Sequence, residues 1–90
     1  MVYYCLVERN DKEIIYEYYP ENRKDKKPGI IRIDIIAEKI RIIKPAQDDF
    51  ERYAEEFDER WWWYGNHAER CICDNYNNGI IEESGIVAWY

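Results

Sequence analysis

Apolar residues recur every second position in the first half of the chain and every third or fourth position after Pro45. Residues 2–9 and 13–19 are rich in Val, Ile and Tyr, and the turn-like RNDK lies between them, which predicts a β-hairpin. A three-residue turn sets Arg9 opposite Glu13, whereas a two- or four-residue turn sets Glu8 there. Like charges directly opposite are unfavourable, which favours the three-residue turn. That register gathers Tyr4, Leu6, Ile14, Tyr16 and Tyr18 on one face.

The stretch PENRKDKKPG, residues 20–29, has Pro near both ends, four basic residues and no aliphatic or aromatic one, so it reads as a loop. The next stretch, IIRIDIIAEKIRIIK, folds into a second hairpin if it turns at Ala37-Glu38. Ile35 then faces Ile40, Ile33 faces Ile42, and Asp34 faces Arg41 as an opposite-charge pair. The turn itself lacks the Asn-Gly or Asp-Gly that a tight hairpin prefers.

Past Pro45, the spacing of Phe50, Tyr53, Ala54, Phe57, Trp61 and Tyr64 predicts an amphipathic helix. Asp48 and Glu51 resemble a capping pair at its start. Gly65-Asn66 offers a break, and Asn66 with Glu69 suits the start of a second helix. Yet Ala68, Cys71, Ile72 and Asn75 continue the same stripe. One long helix and two helices in line therefore both fit. Gly79 offers a stop, and GIVAWY reads as a closing strand, Ile86 to Tyr90. The expected fold is a single α+β domain over residues 1–90: a mostly antiparallel sheet of two hairpins and a C-terminal strand, with the helix or helices on one face. The expected core is Ile31, Ile33, Ile35, Ile40, Ile42, Phe50, Tyr53, Phe57, Trp61 and Ile72, with Tyr16 and Tyr18.

Composition narrows the function. An aromatic content of 17% belongs to a folded chain rather than a disordered one. No run of ~18 apolar residues encodes a membrane span, and the N-terminus lacks the pattern of a signal peptide. Three cysteines, an odd number, fit a reducing compartment, so the expected location is the cytoplasm. The net charge of −6 divides into +2 over residues 1–45 and −8 over residues 46–90. So acidic a chain is ill suited to a phosphate backbone, and nucleic acid is not an expected partner.

Candidate chemistry is sparse. His67 and Cys71 share a helical face while Cys73 points away, and no paired zinc-ligand pattern is present. No metal or cofactor is expected. The doublets Asp48/Asp49 and Glu82/Glu83 would need a cleft that separates their pKa values before they could work as acid and base. No phosphate loop or nucleophile-elbow motif occurs, so an enzyme is not the expected reading.

The tryptophans carry the stronger signal. On a helix Trp61 joins the buried stripe, and at least one of Trp62 and Trp63 is left near solvent. With Glu55, Glu56 and Glu59 beside them, these two rings make the expected surface for a protein partner. The outer face of the sheet, with Ile15, Tyr19, Ile30, Ile36 and Ile43, is apolar enough to suggest pairing with a second copy. A pocket for a planar, nucleotide-like ligand is the alternative, since nine tyrosines and four tryptophans can stack on one.

The segments EIIYEYYPE, IKPAQDDFERYA and ESGIVAWY give the chain a resemblance to small uncharacterised proteins of Firmicutes and their phages. The resemblance implies a bacterial or phage cytosolic protein. It transfers no activity and no site residue, and WWWYGN lies outside it.

Overall fold

The structure, a computed structural model, describes residues 1–89 and, within them, every side chain except those of Ala54 and Phe57. The expectations for Ala54 and Phe57 in the buried stripe and for Tyr90 in the closing strand lie outside the described residues. Five antiparallel strands form the main sheet: β1 (Val2–Arg9), β2 (Glu13–Pro20), β3 (Gly29–Asp34), β4 (Lys39–Lys44) and β7 (Ser84–Val87). Their order is β4-β3-β2-β1-β7, and β5 (Glu51–Ala54) and β6 (Glu59–Trp62) make a separate two-stranded hairpin. One helix, α1 (Trp63–Asn77), packs on the main sheet. The α+β class and the antiparallel sheet agree with the pattern read from the sequence.

The first hairpin keeps the expected register for half its length. Tyr4 faces Tyr18 and Leu6 faces Tyr16; a bulge at Val7 then shifts the pairing so that Arg9 faces Ile14, not Glu13. Asn10 causes the shift. Its side-chain oxygen accepts the amides of Lys12 (2.8 Å) and Glu13 (2.9 Å), which draws Glu13 into the turn. The bulge absorbs the extra residue, so the buried face survives.

The second hairpin is corrected by two residues. Ile33 faces Ile40, Ile31 faces Ile42, and Arg32 rather than Asp34 faces Arg41. Asp34 sets this turn by accepting the Ala37 amide at 3.0 Å, with Glu38 at φ 55°. An aspartate cap thus replaces the missing Asn-Gly, and Ile35 and Ile36 move into the turn. A shift of two preserves the faces, since side chains alternate with period two. Arg32 is neutralised by Glu13 (3.4 Å) and Asp34 (3.6 Å), which relieves both the Arg32–Arg41 and the Glu13–Asp34 juxtapositions.

The helix is the largest correction. Residues 51–62 form a hairpin, and α1 is one short helix of 15 residues rather than a long one or two in line. Charge spacing does not choose between helix and hairpin: a helix here would set Glu51–Glu55 and Glu55–Glu59 in repulsion but Arg52–Glu56 and Glu56–Arg60 in attraction. The hairpin gains Arg60 beside Glu51 at 3.3 Å and the Tyr53 hydroxyl on the Asp58 carboxylate. Gly65-Asn66 is no break: α1 runs through it, and its buried residues are Gly65, Ala68 and Ile72. Gly79, at φ 76°, does end the helix.

The core lies between the sheet and α1. It comprises Val2, Tyr4, Ile14, Tyr16, Tyr18, Ile31, Ile33, Ala46, Ala68 and Ile72, with Ile35, Ile40 and Ile42 packed at its margin. Phe50 (46% exposed) and Tyr53 (59%) are not core, contrary to the helical reading, and Trp61 is half-buried. The buried rings are tyrosines, each with a partner for its hydroxyl. Tyr4 donates to Glu82 Oε2 (2.8 Å), Tyr16 to the Glu82 carbonyl (2.7 Å) and Tyr18 to Asp49 Oδ2 (2.8 Å). Burial and the nearby carboxylates push the pKa values of Tyr4 and Tyr18 far up, so all three rings stay neutral donors.

Candidate functional site

Asp49 determines how α1 meets the rest of the chain. Its Oδ1 accepts the Tyr64 amide and its Oδ2 the Gly65 amide, both at 2.9 Å, while Oδ2 also takes the Tyr18 hydroxyl. A carboxylate on the first-turn amides satisfies orphan donors and complements the helix dipole. The cap is therefore Asp49, fifteen residues upstream in the chain, and not the expected Asp48–Glu51 pair. Two further bonds fix the entry to the helix: Trp63 N to the Phe50 carbonyl (2.8 Å) and Trp62 N to Asn66 Oδ1 (2.7 Å).

This clamp holds the β5–β6 hairpin beside the N-terminal half of α1. Between them lies an open groove of about 740 Å³, lined by Arg52, Tyr53, Trp61, Trp63, His67 and Arg70. Glu55 and Glu56, on the single 3₁₀ turn at the hairpin tip, close one end. Asp58, at φ 51°, sets the tip, and the Tyr53 hydroxyl donates to its carboxylate.

The groove walls are aromatic stacks. Trp89 leaves the closing strand and lies on His67, with ring centroids 4.0 Å apart and planes 10° from parallel. Its edge contacts reach Trp63 (5.8 Å) and Tyr64 (5.6 Å). This is why the strand ends at Val87 instead of running on as expected. Trp63 also stacks on Phe50 at 6.3 Å, and His67 meets Trp61 and Trp63 edge-on. His67 Nδ1 donates to the Trp63 carbonyl, which fixes the ring's orientation.

The expected partner-binding residues separate into groups. Trp63, Glu55 and Glu56 line the groove; Glu59 stands behind it, accepting the Trp61 indole N–H at 3.3 Å. Trp62 is half-buried and does not line the groove, because Trp61 and Trp62 occupy opposite faces of β6. Sequence reasoning missed Arg52, Arg70 and Trp61 as groove residues. The helical phase concealed Arg52 and Trp61, which strand pairing sets directly opposite one another on one face of the hairpin; Arg70 lies on α1 and no pattern in the chain marks it.

The outer sheet face carries Ile15, Tyr19 and Ile30, all half-buried, among Glu17, Arg32 and Asp34. Ile36 (75% exposed) sits in the β3–β4 turn and Ile43 (51%) is the extra residue at a bulge in β4. Ile86 (57% exposed), opposite Tyr3, joins this face from β7. Lys24 lies 4.4 Å over the Tyr3 ring, so part of the basic loop folds back on the sheet.

His67, Cys71 and Cys73 do not converge. Cys71 Sγ lies 3.6 Å from the Tyr4 hydroxyl, Cys73 Sγ lies 3.7 Å from Asn77 Nδ2, and all three cysteines are free. Among the described residues no group of three or more His, Cys, Asp or Glu is placed to hold a metal ion. None of the described helices is long and apolar enough to cross a membrane. Comparison with family models, curated proteins and solved structures finds no match to this chain.

Proposed function

We propose that the chain is a non-enzymatic interaction module, of the kind a phage or mobile element carries as an accessory protein. It docks a protein partner in the groove between the β5–β6 hairpin and α1. The observation that carries this reading is the pair Trp61 and Trp63 lining one open groove, held in place by the Asp49 clamp. Exposed tryptophan is costly to leave in water, since burying a large aromatic is worth about 2–3 kcal/mol. Tryptophan and arginine are also the residues in which interface energy concentrates. Glu55 and Glu56 border the groove, and Glu59 positions Trp61. The open side suits a segment of chain better than a small ligand, which is usually enclosed over most of its surface.

The test is quantitative capture of partners from a cell extract by the wild-type chain and by Trp61→Ala/Trp63→Ala. Loss of a hot-spot tryptophan costs about 2 kcal/mol or more, or roughly thirtyfold in affinity. If the double variant, still folded, keeps every partner at the same yield, the groove is not the interface.

A second reading is favoured by Ile86 beside Tyr3 and Tyr19 on the outer sheet face: pairing of that face with a second copy. Light scattering decides it. A dimer mass that Ile86→Lys reduces to a monomer supports it, and a monomer at the highest soluble concentration removes it.

A further inference from the structure

The groove's own cations say what it is built to receive. The Arg52 guanidinium lies over the Trp63 ring at 4.6 Å from its centroid, and that of Arg70 over the Trp61 ring at 5.5 Å. An aromatic box of this kind would ordinarily suit an external cation. Here both tryptophans already hold a cation from the chain itself. What remains available is the guanidinium's set of N–H donors, which can hold a carboxylate in two-point geometry.

Arg52 stands out against Arg60 on the same hairpin. Arg60 is paired with Glu51 at 3.3 Å, whereas Arg52 has no ion pair among the described residues although Glu55 and Glu56 line the same groove. Stacking on Trp63 also restricts the side chain before anything binds, which lowers the entropy cost of capturing a ligand. On the helical wall His67 has committed Nδ1 to the Trp63 carbonyl and has only Nε2 left for a ligand. The two carboxylates at the hairpin tip limit how much negative charge the groove accepts. They disfavour a polyacidic tract or a nucleic-acid backbone and leave room for an isolated carboxylate.

We propose that the groove receives an extended peptide segment of the partner, with one carboxylate on Arg52 flanked by aromatic or aliphatic side chains against Trp61 and Trp63. This rests on the groove being the partner-binding surface and names the chemistry of its occupant.

The experiment is a titration of the ¹⁵N-labelled full chain, reading the tryptophan indole and arginine Nε–H resonances. The probes are acetyl-Ala-Phe-Glu-Phe-Ala-amide, the same peptide with Gln or with Lys in place of Glu, and adenosine monophosphate. The Glu peptide is expected to shift the Trp61, Trp63 and Arg52 signals saturably. The Gln peptide should bind about tenfold more weakly, the value of one charge-assisted pair. Arg52→Gln should abolish that difference with the resonances elsewhere unmoved, and Arg52→Lys should restore only part of it.

Equal binding of the Glu and Gln peptides overturns the carboxylate preference and leaves the groove as an apolar docking surface. Tightest binding of the Lys peptide assigns the groove to cations through Glu55 and Glu56. Tighter binding of the nucleotide than of any peptide makes it a nucleotide site. No shift with any probe at millimolar concentration removes the inference, and the partner reading is then judged by the capture experiment alone.

Discussion

The main sheet and the hairpin–helix surface treat aromatic rings in opposite ways. In the sheet, Tyr4, Tyr16 and Tyr18 are almost wholly buried, and every hydroxyl reaches a partner. On the hairpin–helix side, Trp61, Trp62 and Trp63 stay half-buried and Phe50 exposed; Trp63 stacks on Phe50, and the guanidinium groups of Arg52 and Arg70 lie over Trp63 and Trp61. A buried tyrosine specifies one arrangement, because an unpaired hydroxyl in the core is costly. A stack of partly exposed rings specifies less and presents more. One region secures the fold; the other is free to serve as a surface.

Asp49 joins the two regions, so removing it tests the comparison most severely. Asp49→Ala deprives the buried Tyr18 hydroxyl of its acceptor and the Tyr64 and Gly65 amides of their cap. Loss of a cap costs about 1 kcal/mol, and an unsatisfied buried donor about 1–3 kcal/mol. A total near 3 kcal/mol lowers the melting temperature of a domain this size by roughly 12 °C or more. Thermal unfolding measures it, and the groove's tryptophan fluorescence should change in the same variant. A loss below about 1 kcal/mol would mean that the two regions are not joined through this carboxylate.

Gly65 probes the same joint by sterics. It sits in the first turn of α1, where alanine would normally gain about 1 kcal/mol over glycine. A Cβ there, however, would lie 2.7 Å from the Tyr18 hydroxyl and 2.8 Å from Ile42 Cδ1. Overpacking of that kind costs about 1–3 kcal/mol, so Gly65→Ala should be destabilising in spite of its better helix propensity. Denaturant unfolding reads the sign. A stabilised variant would show that the helix can lift away from the sheet at little cost.

The contrast between the regions also decides what was legible in the sequence. Strand alternation shows directly in residues with one dominant face, and Ile31, Ile33, Tyr16 and Tyr18 were identified as core from it. Turns set by side-chain caps were not legible to the residue: Asn10 and Asp34 each displaced the expected pairing, and nothing in the apolar pattern records which carboxamide or carboxylate closes a loop. The β5–β6 hairpin was misread for a related reason. Phe50, Tyr53, Phe57 and Trp61 have helical spacing, yet Phe50 and Tyr53 face solvent, so that spacing marks no buried stripe. The candidate site was half-legible. Trp63, Glu55 and Glu56 were identified, while Arg52, Arg70 and Trp89 come from three separate elements that only the fold brings to one aromatic cluster and its groove.

The smallest effect concerns charge on the hairpin–helix side. Glu69 of α1 is half-buried, and its pKa is raised, first by desolvation and further by the charge of Glu59, against a hydrogen bond with Asn66 that lowers it. A carboxyl whose pKa is higher in the folded than in the unfolded chain favours folding when protonated. That contribution is fully present below the unfolded value and is lost as pH rises through the folded value. At neutral pH the ionised Glu69 therefore works against the fold, and Glu69→Gln, which keeps a hydrogen-bonding amide of the same shape, should be the more stable protein. The gain in melting temperature at pH 7 is expected to be no more than about 4 °C. It should shrink as the pH is lowered into and below the ordinary carboxylate range, as the wild-type side chain takes up its proton. Melting curves of the two proteins across that range read the difference, and a gap that is constant with pH would assign it to packing rather than to the charge. The carboxylates that accept the Tyr4 and Tyr18 hydroxyls should show no such gain when replaced by amides, because each already has its hydrogen-bond partner.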